Sequence, residues 1–428
     1  MFLFWKGCLL YMVGIKINGG KKISGSVSLH GAKNSILPIL AATVLVAGKS
    51  TIHNCPDLSD VEAAVKILNH LGAIVTRENS TIIVDCSNLS RYDVPDELMR
   101  EMRSSIVFLG AIVARMGKTS LSSPGGCELG PRPIDLHLSA LSEMGLVIDE
   151  AHGLLNCSSN QGLLGANIHL SFPSVGATEN IILASVTAKG TTVIHGAARE
   201  PEISDLADFL NRAGANIQGA GSDTVVIIGT DSLHGTEHTV IPDRIEAATY
   251  MAATAVTGGK ITIYNAIPAH LIPVMSIFKA AGCELAVKEK EVTLLAPARL
   301  KRVPVVRTMP HPGFPTDAGS PLMAMLTIAE GSSMFVENIF ENRFRIVDEL
   351  KRFGAKIYTN GRVAVIEGVK SLSAANVECT DLRGGAALVV AALAANGITE
   401  ISKTHHLYRG YEKLTETLND LGAEIERC

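Results

Sequence analysis

The residues with the clearest chemical potential lie in one loop, Ser123-Pro-Gly-Gly-Cys127-Glu-Leu-Gly-Pro-Arg132-Pro-Ile-Asp135-Leu-His137. Its glycines and prolines are incompatible with a helix interior or a central strand, so the segment predicts a shaped loop. A thiol acts as a nucleophile or acid only when its pKa approaches the working pH, and a nearby guanidinium favours the thiolate. The fork of Arg132 also matches the geometry of a phosphate or carboxylate. The loop therefore predicts a reactive Cys127 beside an anion-binding Arg132.

The alternative is that Cys127 is a small apolar filler of the turn. Buried structural cysteines usually sit in apolar runs, as Cys86 does in Ile-Ile-Val-Asp-Cys86, whereas turn residues and charges surround Cys127. On the residues alone both interpretations stay open. The eight cysteines are scattered without a C-x-x-C pair or a histidine at zinc-ligand spacing. This pattern predicts free thiols in a reducing compartment rather than disulfides or a metal site.

Composition predicts a soluble globular protein in the cytoplasm. The 428 residues are 47% hydrophobic but only 4% aromatic, which is enough for two or more aliphatic cores. The net charge of −4 provides no large basic field, so no nucleic-acid partner is expected. Residues 1–13 are apolar but too short to span a bilayer and lack a small-residue cleavage site. We interpret them as an extension outside the fold, with a weak signal peptide as the alternative.

An internal repeat is the strongest indication of architecture. Six amphipathic helical patterns, about 70 residues apart, each end at a glycine that leads into a short strand. These glycines are Gly72, Gly145, Gly214, Gly282, Gly354 and Gly422. A glycine there permits the positive φ that a helix C-cap requires. The units also carry Ala-rich helical patterns that are apolar nearly all round and should be buried. The sequence therefore predicts an α/β fold of six βαβαββ units with buried helices inside sheets.

The six units divide most simply into two groups of three. The stretch from Leu233 to Arg244 is rich in turn formers and lies between the third and fourth units, so it is the best boundary. Polar residues would then gather at a cleft between the two halves.

Eight motifs, the loop that carries Cys127 among them, follow in order between about Gly14 and Glu426. They are residues 31–35 (GAKNS), 124–137 (PGGCELGPRPIDLH), 174–180 (SVGATEN), 198–203 (AREPEI), 242–246 (PDRIE), 313–317 (GFPTD), 339–343 (IFENR) and 409–412 (RGYE). Together they strongly resemble the UDP-N-acetylglucosamine 1-carboxyvinyltransferase family.

The resemblance implies both a fold and a reaction. The fold is an inside-out α/β barrel of two similar domains with three repeats each, and its N-terminal strand returns to the C-terminal domain. The expected domains are 14–33 plus 243–428, and 34–242 with the Cys127 loop. The reaction transfers the enolpyruvyl group of phosphoenolpyruvate to the 3-hydroxyl of UDP-N-acetylglucosamine and releases phosphate, the first committed step of peptidoglycan synthesis.

The resemblance also implies roles for individual residues. Phosphoenolpyruvate carries a phosphate and a carboxylate, so its site needs several fixed cations. Cys127 is the expected proton donor to the methylene carbon and can carry a covalent adduct, while Asp317 accepts the hydroxyl proton. The expected catalytic residues are Cys127, Asp317, Lys33 and Arg409, and the expected phosphoenolpyruvate contacts are Lys33, Asn34, Cys127, Arg132 and Arg409. The expected UDP-N-acetylglucosamine contacts are Asn34, Arg103, Arg132, Pro133, Ile134, Asp135, Leu136, His137, Ser174, Val175, Gly176, Asp317 and Ile339.

Each role has a plainer alternative. Lys33 and the arginines could be solvated surface charges, Asp317 a helix N-cap, and His137 an ordinary histidine. For the whole chain, the alternatives are an idle paralogue that binds UDP-N-acetylglucosamine and, less favoured, 3-phosphoshikimate 1-carboxyvinyltransferase.

No cofactor or metal is expected, because the cations are supplied by side chains. The expected partners are the two small-molecule substrates, with no membrane span. The sequence departs from the family pattern at Phe172, at residues 318–321 and at Tyr408.

Overall fold

The computed structural model describes residues 14–102, 104–122 and 134–428. The strands are β1 Ile15–Asn18, β2 Ser24–Ser28, β3 Lys49–His53, β4 Ile74–Glu78, β5 Thr81–Asp85, β6 Asp93–Val94, β7 Lys118–Ser122, β8 Val147–Ala151, β9 Leu154–Ser158, β10 Asn167–His169, β11 Thr191–His195, β12 Asn216–Gln218, β13 Thr224–Ile228, β14 Glu237–Thr239, β15 Lys260–Tyr264, β16 Glu284–Lys288, β17 Glu291–Leu295, β18 Val305–Arg307, β19 Ser332–Val336, β20 Lys356–Asn360, β21 Val363–Glu367, β22 Leu372–Ser373, β23 Asn376–Glu378, β24 Ala395–Asn396, β25 Ile398–Ser402 and β26 Ile425–Arg427.

The α-helices alternate with these strands. They are α1 Lys33–Ala42, α2 Ser59–Leu71, α3 Asp96–Glu101, α4 Phe108–Met116, α5 Asp135–Glu143, α6 Val175–Ser185, α7 Pro201–Arg212, α8 Arg244–Val256, α9 Pro268–Ala280, α10 Gly319–Leu326, α11 Val347–Arg352, α12 Leu382–Ala394 and α13 Leu414–Asp420. The predicted extension, residues 1–13, lies outside the described residues.

Six four-stranded sheets share one pattern in the described part of the chain. In each, an edge strand runs parallel to its neighbour and the next two strands follow antiparallel. The strand orders are β14-β3-β5-β4, β6-β7-β9-β8, β10-β11-β13-β12, β2-β15-β17-β16, β18-β19-β21-β20 and β23-β25-β1-β26. The predicted α/β fold of six repeated units is confirmed.

The glycine that ends each repeat's helix adopts the predicted left-handed backbone. The six φ angles lie between 87° and 104°. At the end of α2, the Gly72 N–H donates to the Asn69 carbonyl at 3.1 Å, and the Ala73 N–H donates to the Leu68 carbonyl at 3.0 Å. These bonds satisfy carbonyls that the helix leaves free, and a side chain with a Cβ would be strained at that φ.

The chain forms two compact units, each with its own hydrophobic core. The C-terminal unit contains residues 14–30 and 242–428, and the N-terminal unit contains residues 31–102, 104–122 and 134–241. Both first strands belong to the C-terminal unit, since β1 lies between β25 and β26 and β2 pairs with β15. In the N-terminal unit, β14 pairs with β3 and so completes a sheet that began far earlier in the chain.

The Ala-rich helices are buried, as predicted. In the C-terminal unit α8, α10 and α12 pack against one another, and in the N-terminal unit α4 packs against α1 and α6. Nearly every residue of α1, α6, α8, α10 and α12 is buried, as are residues 108–113 of α4, which explains why their sequences have almost no polar face. No helix among the described residues is both long and apolar enough to cross a membrane.

Candidate functional site

In the N-terminal unit, Lys33 is the first residue of α1 and is 8% exposed. Its Nζ lies 2.8 Å from Oδ2 of Asp60, which stands in the first turn of α2 and is itself buried. Because a buried ammonium requires a partner, this ion pair explains why a lysine is tolerated there. The alternative that Lys33 is a solvated surface charge is wrong.

A buried polar network holds the start of α1. The Ser35 hydroxyl donates to Oδ2 of Asp205 on α7, and the backbone N–H of Ile241 donates to the same oxygen at 3.2 Å. Oδ1 of Asp205 lies 2.9 Å from Nε2 of His238 on β14. Half-buried Asn34 stands between Lys33 and this anchored serine, so its backbone position is set by both.

His137 is held by an amide whose orientation is fixed by backbone groups. Oδ1 of Asn180 accepts from the Gly110 N–H at 2.8 Å, and Nδ2 of Asn180 donates to the Ile106 carbonyl at 3.0 Å. That same Nδ2 lies 2.8 Å from Nδ1 of His137. Since an amide nitrogen only donates, Nδ1 must accept, and the neutral ring carries its proton on Nε2.

The buried ring of His137 faces the beginning of α6. Ser174 caps this helix, because its hydroxyl accepts from the Ala177 N–H at 3.3 Å. A Cβ added to Gly176 would lie only 3.0 Å from Cε1 of His137, so the imidazole ring packs tightly against this glycine. Such a helix N-terminus favours an anion. The predicted helix start at residues 174–176 is confirmed.

The segment leading to His137 is described from Ile134 onward. Ile134 precedes α5, Asp135 is its exposed first residue and Leu136 is half-buried. Phe172, one of the departures from the family pattern, is 42% exposed two residues before Ser174.

In the C-terminal unit, two buried arginines hold Asp317. Its Oδ1 accepts from Nη2 of Arg343 at 2.6 Å, and its Oδ2 accepts from Nη2 of Arg383 at 3.1 Å. Asp317 lies in the short 3-10 helix Thr316–Ala318, and Ala318 is the N-cap of α10. The alternative that Asp317 is that helix's N-cap is therefore wrong.

The two guanidiniums stabilise the ionised Asp317 carboxylate. Burial alone would lower the pKa of Arg383, but the nearby Asp317 carboxylate favours the charged form and holds that pKa above its usual range. Arg383 is also fixed at its backbone, where its N–H donates to the N-cap Asp381 at 3.0 Å. The guanidinium carbon of Arg383 lies 5.4 Å from the ring centre of buried Tyr411.

Arg409 ends the 3-10 helix Thr404–Arg409, which packs against α12. A Cβ on the following Gly410 would come within 2.6 Å of Leu382, so the chain approaches α12 closely here. Arg409 thus lies two residues before Tyr411, whose ring faces Arg383. Tyr408, another departure from the family pattern, lies with its ring centre 5.4 Å from the Arg427 guanidinium carbon.

Comparison with known proteins identifies the family of this chain. A family model described as EPSP synthase (3-phosphoshikimate 1-carboxyvinyltransferase) matches residues 17–418. The chain is 50% identical over 412 residues to UDP-N-acetylglucosamine 1-carboxyvinyltransferase 2 of Caldanaerobacter subterraneus, covering 96% of this chain and 99% of the relative. It is 44% identical over 416 residues to UDP-N-acetylglucosamine 1-carboxyvinyltransferase of Finegoldia magna, covering 96% and 98%. The chain belongs to the UDP-N-acetylglucosamine 1-carboxyvinyltransferase family. The resemblance seen in the motifs is confirmed.

Solved structures show the same fold as this family member. The enolpyruvyl transferase NikO from Streptomyces tendae superposes with a TM-score of 0.87 at 28% identity, covering 97% of this chain and 99% of NikO. EPSP synthase from Acinetobacter baumannii superposes with a TM-score of 0.76 at 19% identity, covering 97% of this chain and all of that one. At that identity the second likeness concerns the fold alone.

Several residues that the family resemblance singles out lie outside the described residues. They are Cys127, Arg132, Arg103 and Pro133. Among the described residues, six cysteines are free thiols, as predicted, and five of them are buried. Burial raises the pKa of Cys55, Cys283 and Cys379 to about 12 and that of Cys86 and Cys157 to about 11. These five thiols are therefore poor nucleophiles.

Sequence reasoning missed Asp60, Arg343, Arg383 and Asn180 as parts of the site. Arg343 and Asn180 end motifs of the family resemblance, but their partners were not predicted. Arg383 carries a detectable signal, because it is a charge in the first turn of an otherwise apolar helix. Asp60 carries none, since an acidic residue in a helix's first turn is ordinary. No cluster of three or more histidine, cysteine or acidic side chains suitable for a metal occurs in residues 14–102, 104–122 and 134–428.

Proposed function

We propose that this chain transfers the enolpyruvyl group of phosphoenolpyruvate to the 3-hydroxyl of UDP-N-acetylglucosamine by addition and elimination. The observation that carries the proposal is its identity of 44–50% to curated proteins of that name over 96% of the chain. The buried cations and the clamped carboxylate described above are side chains that such a reaction needs.

In the addition step, the sugar oxygen bonds to C2 of phosphoenolpyruvate, its proton passes to a base, and C3 gains a proton. In the elimination step, the bond from C2 to the phosphate oxygen breaks and C3 loses a proton, which yields the enolpyruvyl ether and phosphate. We assign the donated proton to Cys127 and acceptance of the hydroxyl proton to Asp317. Because two arginines favour ionised Asp317, its main contribution is alignment of the hydroxyl rather than basic strength.

Anion recognition is assigned to three cationic side chains. Lys33, Arg132 and Arg409 would neutralise the phosphate and carboxylate of phosphoenolpyruvate, and Asn34 is assigned a further contact with it. The start of α6 is suited to the nucleotide diphosphate, because its backbone N–H groups are hydrogen-bond donors at the positive end of the helix. Residues 133–137, which include His137, are assigned to the uridine. The proposed reaction requires no cofactor or metal. We propose that it takes place in the cytoplasm.

The test is phosphate release from phosphoenolpyruvate by the purified chain, with UDP-N-acetylglucosamine or shikimate 3-phosphate as acceptor. We expect release only with UDP-N-acetylglucosamine, and its loss in Cys127→Ala. Cys428→Ala is the matched control, because it removes the exposed thiol of the last residue and should leave phosphate release unchanged.

Release with shikimate 3-phosphate instead would overturn the proposed acceptor. Tight binding of UDP-N-acetylglucosamine without release would identify an idle paralogue, and residues 318–321 and Tyr408 would then be examined first.

A further inference from the structure

Glu337 is a buried carboxylate that connects three segments of the C-terminal unit. It follows β19, is 2% exposed and accepts four hydrogen bonds. An ionised carboxylate only accepts, so four donors make this burial tolerable. Glu337 lies outside the motifs 313–317 and 339–343.

One carboxylate oxygen faces the segment that carries Asp317. Oε2 of Glu337 accepts from the Thr316 hydroxyl at 2.9 Å, and Thr316 immediately precedes Asp317. Arg343, which clamps Asp317, also donates from Nε to the Thr316 carbonyl at 3.3 Å. The backbone beside Asp317 is therefore held by Glu337 and Arg343 together.

The other oxygen faces the segment that carries Ile339. Oε1 of Glu337 accepts from the backbone N–H groups of Ile339 at 2.8 Å and Phe340 at 3.0 Å. It also accepts from the Thr308 hydroxyl at 2.9 Å, and that hydroxyl accepts from the Asn338 N–H at 2.9 Å. These bonds determine the direction of the chain as it leaves β19.

We propose that Glu337 is a positioning residue that sets Asp317 and Ile339 relative to each other, one carboxylate oxygen serving each segment. The inference rests on the proposed function in one respect, namely that Asp317 aligns the acceptor hydroxyl and Ile339 contacts the sugar. Glu337 itself is assigned no contact with either substrate. It links the group that aligns the reacting hydroxyl to a surface that binds the sugar.

The kinetics of three variants test whether each carboxylate oxygen of Glu337 holds a different segment. Thr316→Val removes only the bond to Oε2, so we expect kcat to fall about ten-fold while KM for UDP-N-acetylglucosamine stays within about two-fold. Glu337→Ala removes both connections, so kcat should fall and KM should rise, each by about ten-fold or more. Glu337→Gln keeps an acceptor for the two N–H groups and presents an amide donor to the Thr316 hydroxyl, so it should restore most of both parameters.

Amide hydrogen exchange at Ile339 and Phe340 provides a readout that needs no activity. We expect exchange about ten-fold faster in Glu337→Ala and unchanged exchange in Thr316→Val. Glu341→Ala is the control, since this exposed glutamate pairs with the exposed Arg362 and should leave exchange and kinetics unchanged.

Two results would overturn the proposal. One is a Glu337→Ala protein with wild-type exchange at Ile339 and Phe340, and the other is a Thr316→Val protein whose kcat is unchanged. If Glu337→Ala does not fold, Thr316→Val and Glu337→Gln still decide the question. Absence of phosphate release by the wild-type chain would instead contradict the proposed function, and the exchange data would then decide the anchoring by Glu337 separately.

Discussion

Replacing Asp60 by asparagine probes whether the buried partner of Lys33 is essential to the N-terminal unit. The substitution keeps the shape of the side chain and one oxygen acceptor but removes its charge. Lys33 and Asp60 are both buried, and Nζ of Lys33 lies 2.8 Å from Oδ2 of Asp60. At that distance two unit charges attract by about 6 kcal/mol for an effective dielectric constant of about 20.

The net loss is smaller than this attraction. Removing one partner of a buried ion pair costs about 3–5 kcal/mol, because the other charge stays in a poorly solvated place. The amide oxygen of asparagine can still accept a hydrogen bond, which is worth about 1 kcal/mol. We therefore expect Asp60→Asn to lower the free energy of unfolding by about 3 kcal/mol.

Urea denaturation followed by circular dichroism measures this change, and the same helical turn offers a control. Glu62 is the other acidic residue in the first turn of α2, and it is exposed. Glu62→Gln removes a charge from the same helix terminus without touching a buried partner, so it should cost about 0.5 kcal/mol. Replacing both partners, as in Lys33→Met with Asp60→Leu, should recover much of the stability because no lone charge is left buried.

Equal losses in Asp60→Asn and Glu62→Gln, to within about 0.5 kcal/mol, would refute this reasoning. They would mean that the 2.8 Å contact contributes no more than an exposed charge near a helix start.

Three other measurements test local features. Gly319→Ala should raise the free energy of unfolding by about 0.5–1 kcal/mol, because Gly319 is helical and an added Cβ would meet no atom within 4 Å. Gly110→Ala should lower the free energy of unfolding, because its Cβ would lie 2.4 Å from a backbone oxygen. Urea denaturation of both variants measures the two opposite changes. The hydrogen bond to Glu246 raises the pKa of His30 above its ordinary 6.5. The stability that this interaction gives the folded protein is therefore fully present below pH 6.5 and is lost as pH rises through the raised pKa. The stability advantage of the wild type over His30→Gln should therefore be larger at about pH 6 than at about pH 9, and equal advantages would contradict the assignment. Nitrogen NMR of the histidine rings should find the neutral ring of His137 protonated on Nε2, and a proton on Nδ1 would contradict the orientation of its amide partner.

Much of the fold is predictable because its signals are local. Gly72 and its five equivalents mark helix ends because a positive φ is a property of one residue and its neighbours. The burial of α12 is predictable because its sequence has almost no polar face. Lys33 could be singled out because it opens an apolar helix where a surface charge has no reason to lie.

The rest depends on residues that are distant in sequence. No local pattern indicates that β14 pairs with β3, or that β1 lies between β25 and β26. The partners of Asp317 come from the same C-terminal unit but from other segments, Arg343 from a 3-10 helix and Arg383 from the start of α12.

The sequence by itself determined where helices end, which helices are buried, and which residue types could handle an anion and a proton. Only the tertiary structure decided that Lys33 is paired with Asp60, that Asp317 is clamped rather than capping a helix, and that Glu337 connects two segments of the site. The physical reason is that backbone preference and burial act over a few residues, whereas a charge or a hydrogen-bond acceptor is satisfied by whichever donor the packed chain brings within about 3 Å.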